Sequence, residues 1–359
     1  MRPPAIVPAA LFVTLCLGAA ILPAQSQERR FDDRVEVSEV LLDVVVTDRA
    51  GNVVAGLDSD DFLIEVGGKA LDVRSASFHT TYYTGNTALR AENEVPASRY
   101  FVFFFHDQRR AATIGNRLLQ QQLLAGKRSR QWIEEEMGPS DWIAVASYDV
   151  KLKIHQDFTQ DRAALLTAVD GAVRGTDPEK GRGRRPGGSH TEASLLRRLP
   201  TGKELSRETR RIYDGLRLLA EASGHVVGRK NLLLFSIGFG DVYNAPFARP
   251  DRRYYPALEE ALNANNVAVY PIDLTPRNVD HLQADFLNTL ASDTGGAYWE
   301  NFTNFITPLR RVAKEATGYY LLSYEAEHPA GESGYQQVAI STRNKDLRVR
   351  AQKGYRYGS

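Results

Sequence analysis

At 359 residues the chain is longer than one average domain and suggests about two. Its 43% hydrophobic and 25% charged residues are ordinary for a soluble globular protein, which argues against a disordered tail or a bundle of membrane spans. The formal net charge of +1 gives no global pull toward nucleic acid, and the single cysteine, Cys16, leaves no material for disulfides or thiolate metal sites.

The chain opens like a targeting segment. Arg2 supplies a positive start, residues 9–22 are apolar, and Ala24-Gln25-Ser26 places small residues where a signal peptidase cuts. A signal peptide over 1–26 is expected, with an uncleaved anchor as the alternative. Cleavage before Gln27 removes both Arg2 and Cys16. Leu15 stands where a lipoprotein signal has a small residue, so Cys16 is not expected to carry lipid. Membrane contact is expected only through this segment, and the mature protein is expected outside the cytoplasm, in the periplasm or beyond.

Residues 27–80 read as a β module. Val35 to Thr47 is rich in Val and Leu and makes one long strand or two. Two further strands, Phe62 to Val66 and Lys69 to Val73, flank Gly67-Gly68, a hairpin connection. Asp58, Asp60 and Asp61 suit turn and capping duty better than a calcium loop. Residues 81–97 are polar, lack periodicity and read as a linker.

At residue 98 the pattern changes. Tyr100-Phe101-Val102-Phe103-Phe104-Phe105 is wholly apolar, as in a strand buried on both faces, and ends on His106-Asp107. A helix is expected over 114–137, a strand over 142–148 and a hairpin partner over 150–154. The next helix spans 161–173, with Thr159 as its candidate N-cap. Residues 174–204 form a basic, Gly-rich loop that reads as a solvated excursion, and a helix follows over 205–223. Lys230 to Ser236 and Val267 to Asp273 are further buried strands, with helices over 255–265, 285–294 and 302–316 and a short edge strand at 297–299. Alternating strands and helices over 98–317 require a doubly wound, mostly parallel sheet. Strands resume over 319–324, 336–341 and 347–351. They are expected to complete a β-sandwich-like module with the N-terminal strands, since closure by both chain ends protects exposed edges.

Several stretches carry a family likeness when taken in order. They are Val44-Val45-Val46-Thr47-Asp48-Arg49-Ala50-Gly51-Asn52, Asp60-Asp61-Phe62, Asp157-Phe158-Thr159-Gln160-Asp161-Arg162, Thr294-Gly295-Gly296, Gly318-Tyr319-Tyr320-Leu321-Leu322-Ser323-Tyr324 and Val349-Arg350-Ala351-Gln352-Lys353-Gly354-Tyr355. With them the mature sequence resembles the exported von Willebrand factor type A related proteins of acidobacteria. The resemblance implies an α/β domain of type A kind, flanked by β-structure, with a binding role rather than an enzymatic one.

Type A domains typically hold Mg²⁺ through Asp-x-Ser-x-Ser after the first strand, a Thr from a second loop and an Asp from a third. A hard ion is thereby ligated by oxygen alone, with one position left for a partner's carboxylate. Asp107 matches the first Asp, but Arg109 and Ala111 replace the two Ser, and Ile237 stands at the third-loop Asp. Thr209 and Asp241 are distant substitutes that no spacing favours. The expectation is a degenerate metal site, with Asp107 as the only candidate ligand and no working cofactor. Asp107 then reads as a cap for the helix that follows.

His106, Arg109, Arg110, Ser236 and Asp241 are the candidate partner surface. Two alternatives stay open: adhesion through Mg²⁺ at Asp107, and a hydrolase using His106, Asp107 or Ser236. Ser236 lacks the preceding Gly of a nucleophile elbow, because Leu234 occupies that place. Gly238-Phe239-Gly240 breaks off before it completes a dinucleotide fingerprint. A protein partner is expected, and nucleic acid is not.

Overall fold

The computed structural model of the protein describes residues 35–80, 98–109, 115–179, 193–241, 249–300, 304–329 and 331–358. The signal segment, the linker 81–97, Arg110, Ala111 and residues 180–192 of the basic loop lie outside the described residues. Residues Val35–Ser359 belong to one compact unit.

Wholly apolar strands alternating with amphipathic helices give the expected α/β architecture. The central sheet is built from β5 (Arg99–His106), β6 (Asp141–Tyr148), β7 (Leu152–Thr159), β8 (Lys230–Ser236) and β9 (Val267–Asp273), in the order β7-β6-β5-β8-β9. β5, β6, β8 and β9 are parallel, and β7 pairs antiparallel at one edge. Trp299 adds a bridge to Ile272 at the other edge. Successive side chains of β5 go to opposite faces. Val102 and Phe104 pack toward α4 (Ile212–Ser223), α5 (Tyr255–Ala264) and α6 (Ala284–Asp293). Phe101, Phe103 and Phe105 pack toward α1 (Gly115–Glu135), α2 (Arg162–Arg174) and α7 (Ile306–Glu315). Each of these buried Phe side chains contributes about 1.5–3 kcal/mol relative to exposure.

The two chain ends interleave in two antiparallel sheets. One has the order β12 (Arg348–Ala351), β1 (Val35–Thr47), β10 (Gly318–Pro329), β4 (Ser75–Thr80). The other has the order β13 (Gly354–Tyr357), β11 (Gly334–Thr342), β2 (Phe62–Val66), β3 (Lys69–Leu71). Val44, Phe62, Ile64, Tyr320, Leu322 and Tyr324 share the core between them. The Tyr320 hydroxyl stays satisfied there by donating to Val54 O and accepting from Leu57 N, each at 3.0 Å.

Local details depart from the sequence reading. The N-cap of α2 is Asp161, whose Oδ1 accepts from Ala163 N and Ala164 N, while Thr159 accepts from Asp161 N. The helix expected over 205–223 is broken into α3 (Gly202–Glu208) and α4, with Thr209 at the break. Asp58 and Asp61 form a capping box around a short 3₁₀ turn, and that is the turn duty expected of them.

Candidate functional site

The strand order reverses around β5, because β6 follows on one side and β8 on the other. The carboxyl ends of β5 and β8 therefore bracket the switch point where α/β sheets bind ligands. Asp107 sits at that point and extends the ladder by donating its N–H to Tyr148 O at 2.7 Å.

Its side chain is already engaged. Asp107 Oδ1 accepts from Arg109 N at 3.2 Å and from Arg109 Nε at 2.7 Å, and Oδ2 accepts from Arg109 Nη2. The pair is largely enclosed, with the side chains 10% and 25% exposed. The carboxylate raises the Arg109 guanidinium above its ordinary value through these bonds, against the opposing effect of burial. Gly175, the C-cap of α2 at φ 72°, roofs the pair so closely that a Cβ there would lie 2.6 Å from Arg109 Nη2 and 2.9 Å from Asp107 Oδ2. The carboxylate closes an Asx turn on Arg109, and the stretch between Arg109 and Gly115, where a helix capped by Asp107 would begin, lies outside the described residues.

Gln108 closes the switch point itself. Its Nε2 donates to Gly238 O at 2.7 Å, and its Oε1 accepts from Ile237 N at 3.1 Å and from Ser236 Oγ at 3.2 Å. One carboxamide thus ties the loop after β5 to the loop after β8.

Ser236 Oγ also accepts from Gly238 N and lies 2.9 Å from His106 Nδ1. With the hydroxyl proton directed to Gln108, Nδ1–H is the donor to Ser236, the reverse of what a general base needs. Burial pushes His106 down to about 3, only partly opposed by Asp107. His106 and Ser236 are 7% and 0% exposed. Burial therefore removes both from the candidate partner surface. Asp107 turns to Arg109 rather than to His106, so no Ser-His-Asp relay forms.

The residues present do not fit a hard dication. Both oxygens of Asp107 receive guanidinium N–H groups, and Ile237 packs into the apolar core beneath the site. Thr209 Oγ1 accepts from Leu152 N at 3.0 Å and donates to Leu205 O at 2.7 Å, fully buried. Asp241 is tied by its backbone to Arg249. Among the described residues, no group of three or more His, Cys, Asp or Glu is arranged to hold a metal ion.

The sequence reading missed Gln108 and a second polar cluster at the carboxyl end of β9. There the buried Asp273 accepts from His281 Nδ1 at 2.6 Å, Tyr298 OH at 3.0 Å and Thr275 N at 2.7 Å. Burial, with Asp273 second, pushes the Tyr298 phenol up. The available signal was an acid closing a buried strand, as at Asp107. Asp157, from one of the family-like stretches, is also structural. It accepts from Ser194 Oγ at 2.6 Å and Leu195 N at 2.9 Å, and it pins the later part of the basic loop to β7.

No family model matches the chain, and no curated protein matches it. Solved structures do match. Proximal thread matrix protein 1 from the mussel byssus is 13% identical, covering 62% of this chain and 48% of that one, with a TM-score of 0.37. The conserved hypothetical protein BatB from Bacteroides thetaiotaomicron is 10% identical over 61% of this chain and 99% of its own, with a TM-score of 0.38. The ArnB paralog VWA2 from Sulfolobus acidocaldarius is 9% identical over 89% and 75%, with a TM-score of 0.33. This chain spans about half the length of the mussel protein. These scores are low, and the fold rests on the strand order and crossovers described above. No helix among the described residues is long and apolar enough to cross a membrane.

Proposed function

We propose that the protein is an exported protein-interaction module, of von Willebrand factor type A kind, that works without a metal ion. In this reading residues 1–26 are a cleaved signal peptide. Residues 98–317 are the α/β binding domain, and 27–80 with 318–359 are the β module that carries it. The single observation that supports metal independence is the Asp107–Arg109 pair. A guanidinium supplies the positive charge that a dication would supply, and it occupies both carboxylate oxygens. Arg109 with Arg110 and Asp241 remains the candidate contact surface, at the sheet edge where such folds bind.

Calorimetric titration of the chain from Gln27 with Mg²⁺ and Mn²⁺ tests this directly. The expected result is no saturable heat. Micromolar binding that disappears in Asp107→Ala would overturn the proposal in favour of metal-dependent adhesion. The Ser236–His106 contact is the one observation that favours a hydrolase. A panel of esters and phosphoesters is expected to show no turnover, and turnover lost in Ser236→Ala would reassign the protein to that class.

A further inference from the structure

The first strand of the β module overhangs its neighbours and leaves a long sheet edge bare. β1 runs for 13 residues. β10 lines one flank of it from Val35 to Val44, but β12 lines the other only from Val44 to Thr47. After β12 the chain leaves that lane. Gln352 bridges to Thr294, and Lys353 N donates to Asp293 O at 3.1 Å. Asn266, bonded through its Nδ2 to Asp43, marks the end of the vacated stretch. Among the described residues, no strand pairs with that flank from Val35 to Leu42.

The phase of the ladder decides what this flank offers. In an antiparallel strand both backbone groups of a residue face one flank, and successive residues alternate. Val46 lies opposite Val349 of β12 on one side, and Val54 N donates to Val46 O at 2.9 Å from the other. The even-numbered residues of β1 therefore face β10. β10 shows the same phase. Arg74 N donates to Ser323 O at 2.8 Å, which turns Ser323 to β4 and its neighbours Leu322 and Tyr324 to Leu42 and Val40. The N–H and C=O groups of Val37, Glu39 and Leu41 are left facing the vacated lane. The side chains of these residues are exposed on the outer face, Val37 and Leu41 at 58%. A cavity of about 430 Å³ lies along the flank, between Ser38 and Val40 of β1 and Tyr355 and Tyr357 of β13. A strand added here would turn alternate side chains into this groove and the others outward beside Val37, Glu39 and Leu41.

Charge selects the occupant. The register sets Glu39 beside Glu325 and Val37 beside Glu327, and these acids are all exposed. Arg74 holds Glu325 at 2.8 Å, and Arg356 in the groove wall is paired with Glu260 at 2.8 Å. Among the described residues no ion pair engages Glu39 or Glu327. A second copy adding its own β1 would bring another such acidic row into the same strip, and like charges on paired strands destabilise. The acids thus guard the edge against self-pairing and favour a strand with Lys or Arg opposite Glu39. The open backbone groups would supply affinity and the alternating side chains specificity. We propose that this edge binds an extended peptide segment, antiparallel to β1, with a basic residue opposite Glu39 and an apolar residue on each side of it turned into the groove. The site is separate from the Asp107 surface and stands whether or not the α/β domain holds a partner.

Amide hydrogen exchange and chemical shifts of the chain from Gln27 test the assignment. In the free protein the N–H groups of Val37, Glu39 and Leu41 should exchange fast while those of Ser38, Val40 and Leu42 are protected. The probe is an end-blocked heptapeptide, Thr-Ser-Val-Lys-Val-Ser-Thr. It should bind saturably, shift the amides of Val37, Glu39 and Leu41 and slow their exchange. Replacing its Lys by Glu, or methylating the Lys backbone nitrogen, should each weaken binding about tenfold. Glu39→Lys, at an exposed position, should reverse the preference to the Glu peptide. Val37→Pro removes an N–H that faces only the lane, so the fold should tolerate it and binding should fall about tenfold. Prior protection of Val37, Glu39 and Leu41, no saturation, equal binding of the Lys and Glu peptides, indifference to N-methylation, or an unchanged preference in Glu39→Lys would each overturn the proposal. Dimerisation that Val37→Pro abolishes would also overturn it and assign the edge to a second copy. Native spectra of both variants separate lost binding from lost folding.

Discussion

Strand β5 carries an Arg–Asp pair at each end, and the two pairs do different work. At its start, Arg99 Nε and Nη2 grip both oxygens of Asp141 at 2.5 and 2.7 Å across 42 residues of sequence. Arg99 Nη1 also reaches Ala313 O, and Gly138 N donates to Asp141, so one buried pair braces β5, β6 and α7. At its end, Arg109 folds back two residues onto Asp107 and reaches one further group, Arg174 O at 3.3 Å at the end of α2. The same two residue types therefore make a structural rivet at one end and a plugged ligand seat at the other. What differs is the span of the pair, not its chemistry.

Cutting the rivet should have the largest effect. Arg99→Ala leaves Asp141, 0% exposed, as an uncompensated buried charge, and urea denaturation should show a loss of about 3–5 kcal/mol. A loss under about 1 kcal/mol, the range of surface pairs, would erase the contrast between the two ends.

Acid should act next, and through the carboxyl end. Burial depresses His106 from its ordinary 6.5 to about 3, and His155 from 6.5 to about 4. As pH falls below about 6.5 the unfolded chain takes up these protons before the folded one does, so stability declines progressively down to about pH 3. His106→Asn keeps a donor for Ser236 and removes the titration. Its stability profile between pH 6 and 4 should be flatter than that of the parent, and equal slopes would remove His106 from the account.

The roof over the plugged seat comes third. Gly175→Ala places a side chain at φ 72°, costing roughly 1–2 kcal/mol from the left-handed conformation alone. It also pushes Arg109 off Asp107. The companion Arg109→Ala should avoid the backbone strain and lower stability by about 1–3 kcal/mol, because it leaves a largely enclosed carboxylate without its guanidinium donors. If Arg109→Ala proves as costly as Arg99→Ala, the pair at Asp107 is a second rivet. If it gains Mg²⁺ affinity that the parent lacks, the guanidinium is what keeps the ion out.

The sheet was legible because its strands are unmistakable. Tyr100 to Phe105 and Lys230 to Ser236 are apolar without interruption, which only a strand covered on both faces tolerates. Short, polar strands were harder to see. Ser75–Thr80 turns only Ala76 and Phe78 to the core and earns its place by pairing with β10, and Gly354–Tyr357 begins on a turn residue. The break at Thr209 was hidden for a related reason. Its flanks both favour helix, and a hydroxyl bonded to Leu205 and Leu152 decides the matter in three dimensions. Of the site, Asp107, Arg109 and Ile237 could be read from position. Gln108 could not, since its partner Gly238 lies 130 residues away and a carboxamide has no spacing signature.

The placement of β1 has a consequence for how the protein comes into being. Val44 pairs with Tyr320 on one side and Ala351 on the other, so a strand made early finds its neighbours only when synthesis is nearly finished. Until then it presents an apolar edge open to wrong partners, the hazard of late, long-range pairing. The α/β segment between the ends has more local crossovers and can settle first, bringing Arg99 and Thr317 to where the chain enters and leaves it. The sandwich is then the last part to close, and truncating the final two strands should leave the first strand unsatisfied on one side rather than merely shorten the chain.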